Sequence, residues 1–265
     1  MFELRRFGRL AAVLWAENGR GYLWFLGIGV LVHFCVWLLL TQGGSRPEQY
    51  DDGLQTATYC GGYLMTAVLF AGRHFSALSR RESALTYLMR PASALEKTLL
   101  AFLLVAVAYP LAYTVAFQVC NLPGAWVGDA ARDALLAAPG KDSNALYLKN
   151  RQYGPYLPFT DPKTPAWEWN LFLGTAAIQA LVVAGLLFFR KAAGLKTLVA
   201  MFLLFVVAIP LLSSASGAVP FRLFLGTPVP PGHPGLQAWI WVLWIGVPAL
   251  FWASAWCLLR ERELQ

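Results

Sequence analysis

Six stretches of this chain contain no Asp, Glu, Lys or Arg: residues 21–40, 53–72, 98–119, 169–189, 197–213 and 237–259. A helix needs ~20 mostly apolar residues to cross the hydrocarbon core of a bilayer, so these stretches have the length and character of membrane spans. Only 13% of the residues are charged and 58% are hydrophobic, whereas soluble domains carry about 25% charged residues. The predicted fold class is therefore an all-α polytopic membrane protein with six transmembrane helices, forming a single transmembrane domain over residues 1–265. Pro110, Pro210 and Pro248 fall inside three of the spans. Each frees a backbone carbonyl, and a membrane helix tolerates this only where a neighbouring group repairs the bonding.

Orientation follows from the basic residues. With both termini on one side, that side holds 14 Lys and Arg and the other holds 7. Positive charge collects on the cytoplasmic side, so both termini are expected there, in a multi-pass protein of the cytoplasmic (inner) membrane. The 11 Trp and 10 Tyr suit anchoring at the two interfaces. The pI of about 9.4 is accounted for by the same asymmetry, and no nucleic-acid partner is expected.

Residues 1–19 do not read as a signal peptide, because the apolar stretch behind them is too long and no small-residue cleavage site follows. They read as an amphipathic helix in the headgroup region. Leu4, Phe7, Leu10, Ala11 and Leu14 share one face, while Arg5 and Arg9 fall on the other, placed to meet anionic membrane lipid. On the opposite side of the membrane, residues 120–167 form a large connection, with a short helix expected from about Trp126 to Ala138 before Pro139-Gly140. A second connection, 213–236, carries five prolines and an apolar patch at Phe221, Leu223, Phe224 and Leu225, readable as a re-entrant segment or as a surface loop.

Catalytic signatures are missing from the sequence. Gly194-Leu195-Lys196-Thr197 lacks the upstream glycine and the preceding strand of a nucleotide-binding loop. His33, His74 and His233 fall in a span, at the cytoplasmic face and in an outer loop, so they do not converge on a metal. Cys35, Cys60, Cys120 and Cys257 form no CxxC pair; Cys60 and Cys120 both fall at outward helix ends, which leaves a disulfide between them open. No acidic or basic residue lies deep in a span, as ion-driven transporters usually require. If the chain moves a solute, its energy comes from another subunit.

The island Arg73–Lys97 between the second and third spans carries two capping boxes in succession. In Ser79-x-x-Glu82 and Ser93-x-x-Glu96, the Ser and Glu side chains satisfy each other's orphan backbone donors at a helix start. Pro91 disfavours helix at Arg90. The island therefore reads as helix, break, helix, with the second helix entering the membrane.

Tyr87-Leu88-Met89-Arg90-Pro91-Ala92-Ser93-Ala94-Leu95-Glu96-Lys97 resembles a phrase found at the start of the third span in permeases of ABC-2 type transporters, with Arg90 where that family more often has Leu. The interfacial helix, six spans and internal termini are also similar to that family. The resemblance implies that the 73–97 segment includes a coupling helix, about Arg80 to Met89, seated in a groove of a separate ABC ATP-binding subunit. Arg80, Arg81 and Glu82 would supply polar contacts, and Leu85, Leu88 and Met89 an apolar strip. It further implies a second permease copy or paralogue and export of a peptide, lipid-like or other amphipathic molecule, with an accessory envelope protein as a further partner. No cofactor or catalysis is expected in this chain, ATP and Mg²⁺ being held by the partner. The other reading, from a different class, is a membrane-embedded binding or assembly protein acting through residues 120–167.

Overall fold

The computed structural model describes residues 3–42, 50–76, 87, 89–137, 155–159, 165–189, 193–216 and 242–263. Every regular element among them is helical: α1 (Leu4–Gln42), α2 (Asp52–Ser76), α3 (Ala94–Phe102), a π-helical segment (Leu103–Ala108), α4 (Tyr109–Ala137), α5 (Pro165–Phe188), α6 (Ala193–Ser216), a second π-helical segment (Val242–Gly246) and α7 (Val247–Glu263). Three helical stretches are long and apolar enough to cross a membrane by length and composition: Leu4–Leu39, Ala94–Ala137 and Glu168–Phe188. Ala193–Leu204 is a shorter apolar helix. Helices also cover the predicted second and sixth stretches, as α2 and α7, with residues 237–241 outside the described set.

Two boundaries differ from the sequence reading. α1 runs unbroken from Leu4 to Gln42, through both the expected interfacial helix and the first span. The third stretch does not end near 119, because helix continues through Pro123 to Ala137. The short helix expected from about Trp126 is thus the end of a 44-residue helical run. Asn121 could have capped the helix locally, but its side chain is spent on distant partners (Tyr50 and Gln55). The Ala- and Leu-rich sequence beyond Pro123 has good helix propensity.

The chain divides into two compact units. The first comprises Met1–Gly19, Ala67–Tyr109 and Asp161–Gln265. Within it α7 packs on α5 and α3, and α6 packs on α5. Phe102 meets Trp252 edge-to-face at 5.4 Å between centroids. α5 and α6 approach closely at Gly185, where a Cβ would lie 2.5 Å from Thr197 Cγ2. A glycine at this crossing allows the backbones to approach, as small residues do in membrane helix pairs.

The same unit contains the repair that the prolines call for. The Tyr109 N–H bonds to the Leu104 carbonyl, five residues back. In that π register the Val105 carbonyl should receive the N–H of residue 110, but Pro110 has none. Gln179, fully buried on α5, supplies it: its Nε2 donates to Val105 O at 3.2 Å and to Ala67 O at 3.3 Å. The second π segment likewise ends two residues before a proline, Pro248. Widening the helix relieves the clash between a proline ring and the carbonyl four residues earlier.

The second unit comprises Arg20–Thr66 and Pro110–Thr160. Its core is aromatic and amide-rich. Tyr59 contacts the rings of Tyr63, Tyr113, Phe117 and Tyr156. Its hydroxyl bonds Thr114 at 2.9 Å, while Tyr113 donates to the Tyr59 carbonyl. His33 lies against Phe117, with ring centroids 4.8 Å apart, a packing contact of the kind expected for a histidine inside a span.

Candidate functional site

Of the island Arg73–Lys97, residues 73–76, 87 and 89–97 are described. Tyr87 is helical, and residues 89–92 form a turn and bend around Pro91. The Ala92 N–H bonds the Arg90 carbonyl at 2.7 Å. Helix resumes at Ala94 with Ser93 as N-cap, extended at φ −69° and ψ 154°. Both halves of the second capping box are made: Glu96 N donates to Ser93 Oγ at 3.3 Å, and Ser93 N donates to Glu96 Oε2 at 2.9 Å. Break and helix start thus fall where Pro91 and the Ser-x-x-Glu spacing place them. Ser79, Arg80, Arg81, Glu82, Leu85 and Leu88 lie outside the described residues. Met89 is described and is 81% exposed.

Glu96 does more than cap. Its carboxylate is completely buried and accepts four hydrogen bonds. Two come from one guanidinium, Arg6 Nε to Oε2 at 2.8 Å and Arg6 Nη2 to Oε1 at 2.7 Å. The others come from the Glu3 N–H to Oε1 at 3.0 Å and from the Ser93 N–H. The pair is a bidentate fork, the strong form of arginine–carboxylate contact. The Arg6 bond, aided by the backbone donors of Ser93 and Glu3, holds the carboxyl down to about 2 against its burial. The first turn of α1 and the first turn of α3 are therefore joined through one carboxylate, at the edge of the apolar stretch that begins at residue 98.

Around this clamp the charges are layered. The Arg90 guanidinium pairs with Glu17 through Nη2 and lies over the Tyr87 ring at 5.2 Å. Lys97, 1% exposed, brings its Nζ to 6.0 Å from the same ring. His74, in the last turn of α2, is held down to about 4 by burial and by Arg90, so its imidazole is neutral at physiological pH. On α1, Leu10 and Leu14 are buried while Arg5 and Arg9 are exposed, as the amphipathic pattern requires. Leu4, at the helix start, departs from the pattern and is 76% exposed.

In the second unit, buried amides form a satisfied network that the sequence reading did not single out. Tyr50 donates to Asn121 Oδ1 and Asn121 Nδ2 donates to Gln55 Oε1, both at 2.6 Å. Gln55 Oε1 also accepts from the Tyr156 N–H at 2.9 Å, and Gln118 Nε2 donates to the Tyr156 carbonyl at 2.7 Å. Burial pushes the Tyr50 phenol up to about 12, which keeps it a donor. Residues 155–159, within the connection 120–167, are thereby strapped to α2 and α4. The four cysteines carry free thiols, including Cys60 and Cys120. Among the described residues, no three His, Cys, Asp or Glu side chains gather to hold a metal ion. Comparison with protein-family models, with curated proteins and with solved structures finds no match.

Proposed function

We propose that this chain is the membrane-spanning permease subunit of an ATP-driven ABC transporter, with six spans and both termini in the cytoplasm of an inner-membrane protein. It works with a separate ATP-binding subunit and a second permease, and exports a peptide, lipid-like or other amphipathic substrate. The observation that carries this reading is the Glu96 clamp. A cytoplasmic segment transmits motion only if its far end is fixed to the elements it must move. Glu96 ties the exit of the 73–97 segment to α3 and to α1 together. A displacement of the segment about Arg80 to Met89, bearing Arg80, Arg81, Glu82, Leu85, Leu88 and Met89, is then passed to the membrane helix rather than absorbed at the Pro91 break. ATP and Mg²⁺ belong to the partner.

Co-purification tests the assignment. A tagged chain extracted in mild detergent should bring down an ATP-hydrolysing subunit in fixed stoichiometry. A chain that purifies with no such partner contradicts it.

One observation favours the second reading, an assembly or binding protein working through 120–167: the buried Gln55–Asn121–Tyr156 network holds part of that connection in place. Under that reading, deletion of residues 138–154 abolishes function while any coupling to an ATPase is unaffected. Under the permease reading the coupling segment governs function instead.

A further inference from the structure

Beside the clamp, within the first unit, is an open cavity of about 320 Å³. That is the scale of a small-ligand site. Three arginines line it: Arg6 and Arg9 from α1, and Arg90 from the bend before α3. Leu10, Val13 and Pro91 make its apolar wall, and among the described residues Glu3 is the one acidic residue of the lining. Arg6 is engaged by Glu96, and Arg90 is paired with Glu17 through Nη2 alone. Arg90 Nη1 is buried and has no hydrogen-bond partner. A buried guanidinium N–H without an acceptor is costly, and a small rotation of the Arg90 side chain toward the cavity it lines would give that N–H an anionic oxygen.

We propose that this cavity binds an anionic phosphate group, with the Arg90 and Arg9 guanidinium groups as its donors and the Leu10–Val13–Pro91 wall receiving the apolar part of a lipid that carries it. Guanidinium is the side chain best matched to phosphate oxygens. An apolar wall beside a basic one fits a lipid headgroup better than free phosphate. The site distinguishes Arg9, which lines it, from Arg5, which sits on the same exposed side of α1 and does not. It goes beyond the permease reading and does not depend on the nature of the motor.

The experiment uses the full chain, with its partner subunit if one co-purifies, delipidated in detergent. Short-chain phosphatidylglycerol, short-chain phosphatidylcholine and inorganic phosphate are titrated separately, and binding is read by native mass spectrometry and by the shift in melting temperature. Phosphatidylglycerol should bind, and Arg9→Gln and Arg90→Gln should each weaken it about tenfold, the effect of losing one charge-assisted hydrogen bond. Arg5→Gln, with the same change in net charge, should leave it within about twofold. Should Arg90→Gln fail to fold, Arg9→Gln and Arg90→Lys carry the test, the lysine keeping charge but losing the fork. Binding of inorganic phosphate with the same arginine dependence supports the site and makes free phosphate its ligand. Three results overturn the proposal: neither anion binds, phosphatidylcholine binds equally well, or Arg5→Gln weakens binding as much as Arg9→Gln.

Discussion

At the residue scale, Glu96 concentrates the chemistry at the start of α3. Its two oxygens accept bonds from one side chain and two backbone donors that come from chain positions about ninety residues apart. Glu96→Gln removes the charge that the Arg6 fork requires, and should lower the melting temperature more than Ser93→Ala, which removes one neutral cap worth about 1 kcal/mol. The pH dependence has a definite sign. The folded-state carboxyl is held down to about 2 from an ordinary value of 4.5, so its stabilisation is complete above about pH 4.5 and is lost as the pH falls toward 2. Unfolding measured between pH 7 and pH 3 should show wild type losing stability at the acid end, with Glu96→Gln flat in comparison. The capping box itself was legible, since Ser-x-x-Glu is a local signal. Arg6 was not: nothing in the spacing of α1 says which of its arginines will meet a carboxylate ninety residues away.

At the element scale, the helices show how a proline-interrupted span is mended. Pro110 leaves the Val105 carbonyl without its π-register donor, and Gln179 provides one. Gln179→Leu should cost about 1–3 kcal/mol, the range for an orphaned buried acceptor. Pro110→Ala restores the missing N–H, so the double variant should lose less than the sum of the two single changes in a denaturation cycle. At the α5–α6 crossing, Gly185→Ala would drive a methyl into Thr197 and should destabilise by about 1–3 kcal/mol, as overpacking does. Gly185→Ala with Thr197→Ser, which removes the nearest methyl, should recover part of that loss in the same assay. The sequence marked the prolines as sites needing repair but did not name the repairing residue. An isolated glutamine in an apolar span was the available signal, as Gln55 and Asn121 were for the second network. Helix ends were less legible. Residues past 119 read as a connection, yet helix runs on through Pro123 to Ala137, and the Asn121 side chain bonds Tyr50 and Gln55 instead of capping it.

At the scale of the whole molecule, the long apolar helices make this a membrane protein, and with no charge in the predicted spans the proposed permease function has work enter at the charged island Arg73–Lys97. The hydropathy pattern carried the helical class because burial in lipid demands internally satisfied backbone. It could not carry the division into two units, which depends on side chains that meet only after folding. The central claim is that the 73–97 segment receives motion from an ATP-binding partner. The measurement that bears on it most directly is ATP hydrolysis by the purified complex carrying Glu82→Ala together with Leu85→Ala, with partner stoichiometry read on the same sample. The account predicts loss of the partner subunit, or ATP hydrolysis no longer responsive to the permease, with the chain itself still folded. A variant complex that keeps its partner and hydrolyses ATP as the wild type does would contradict it.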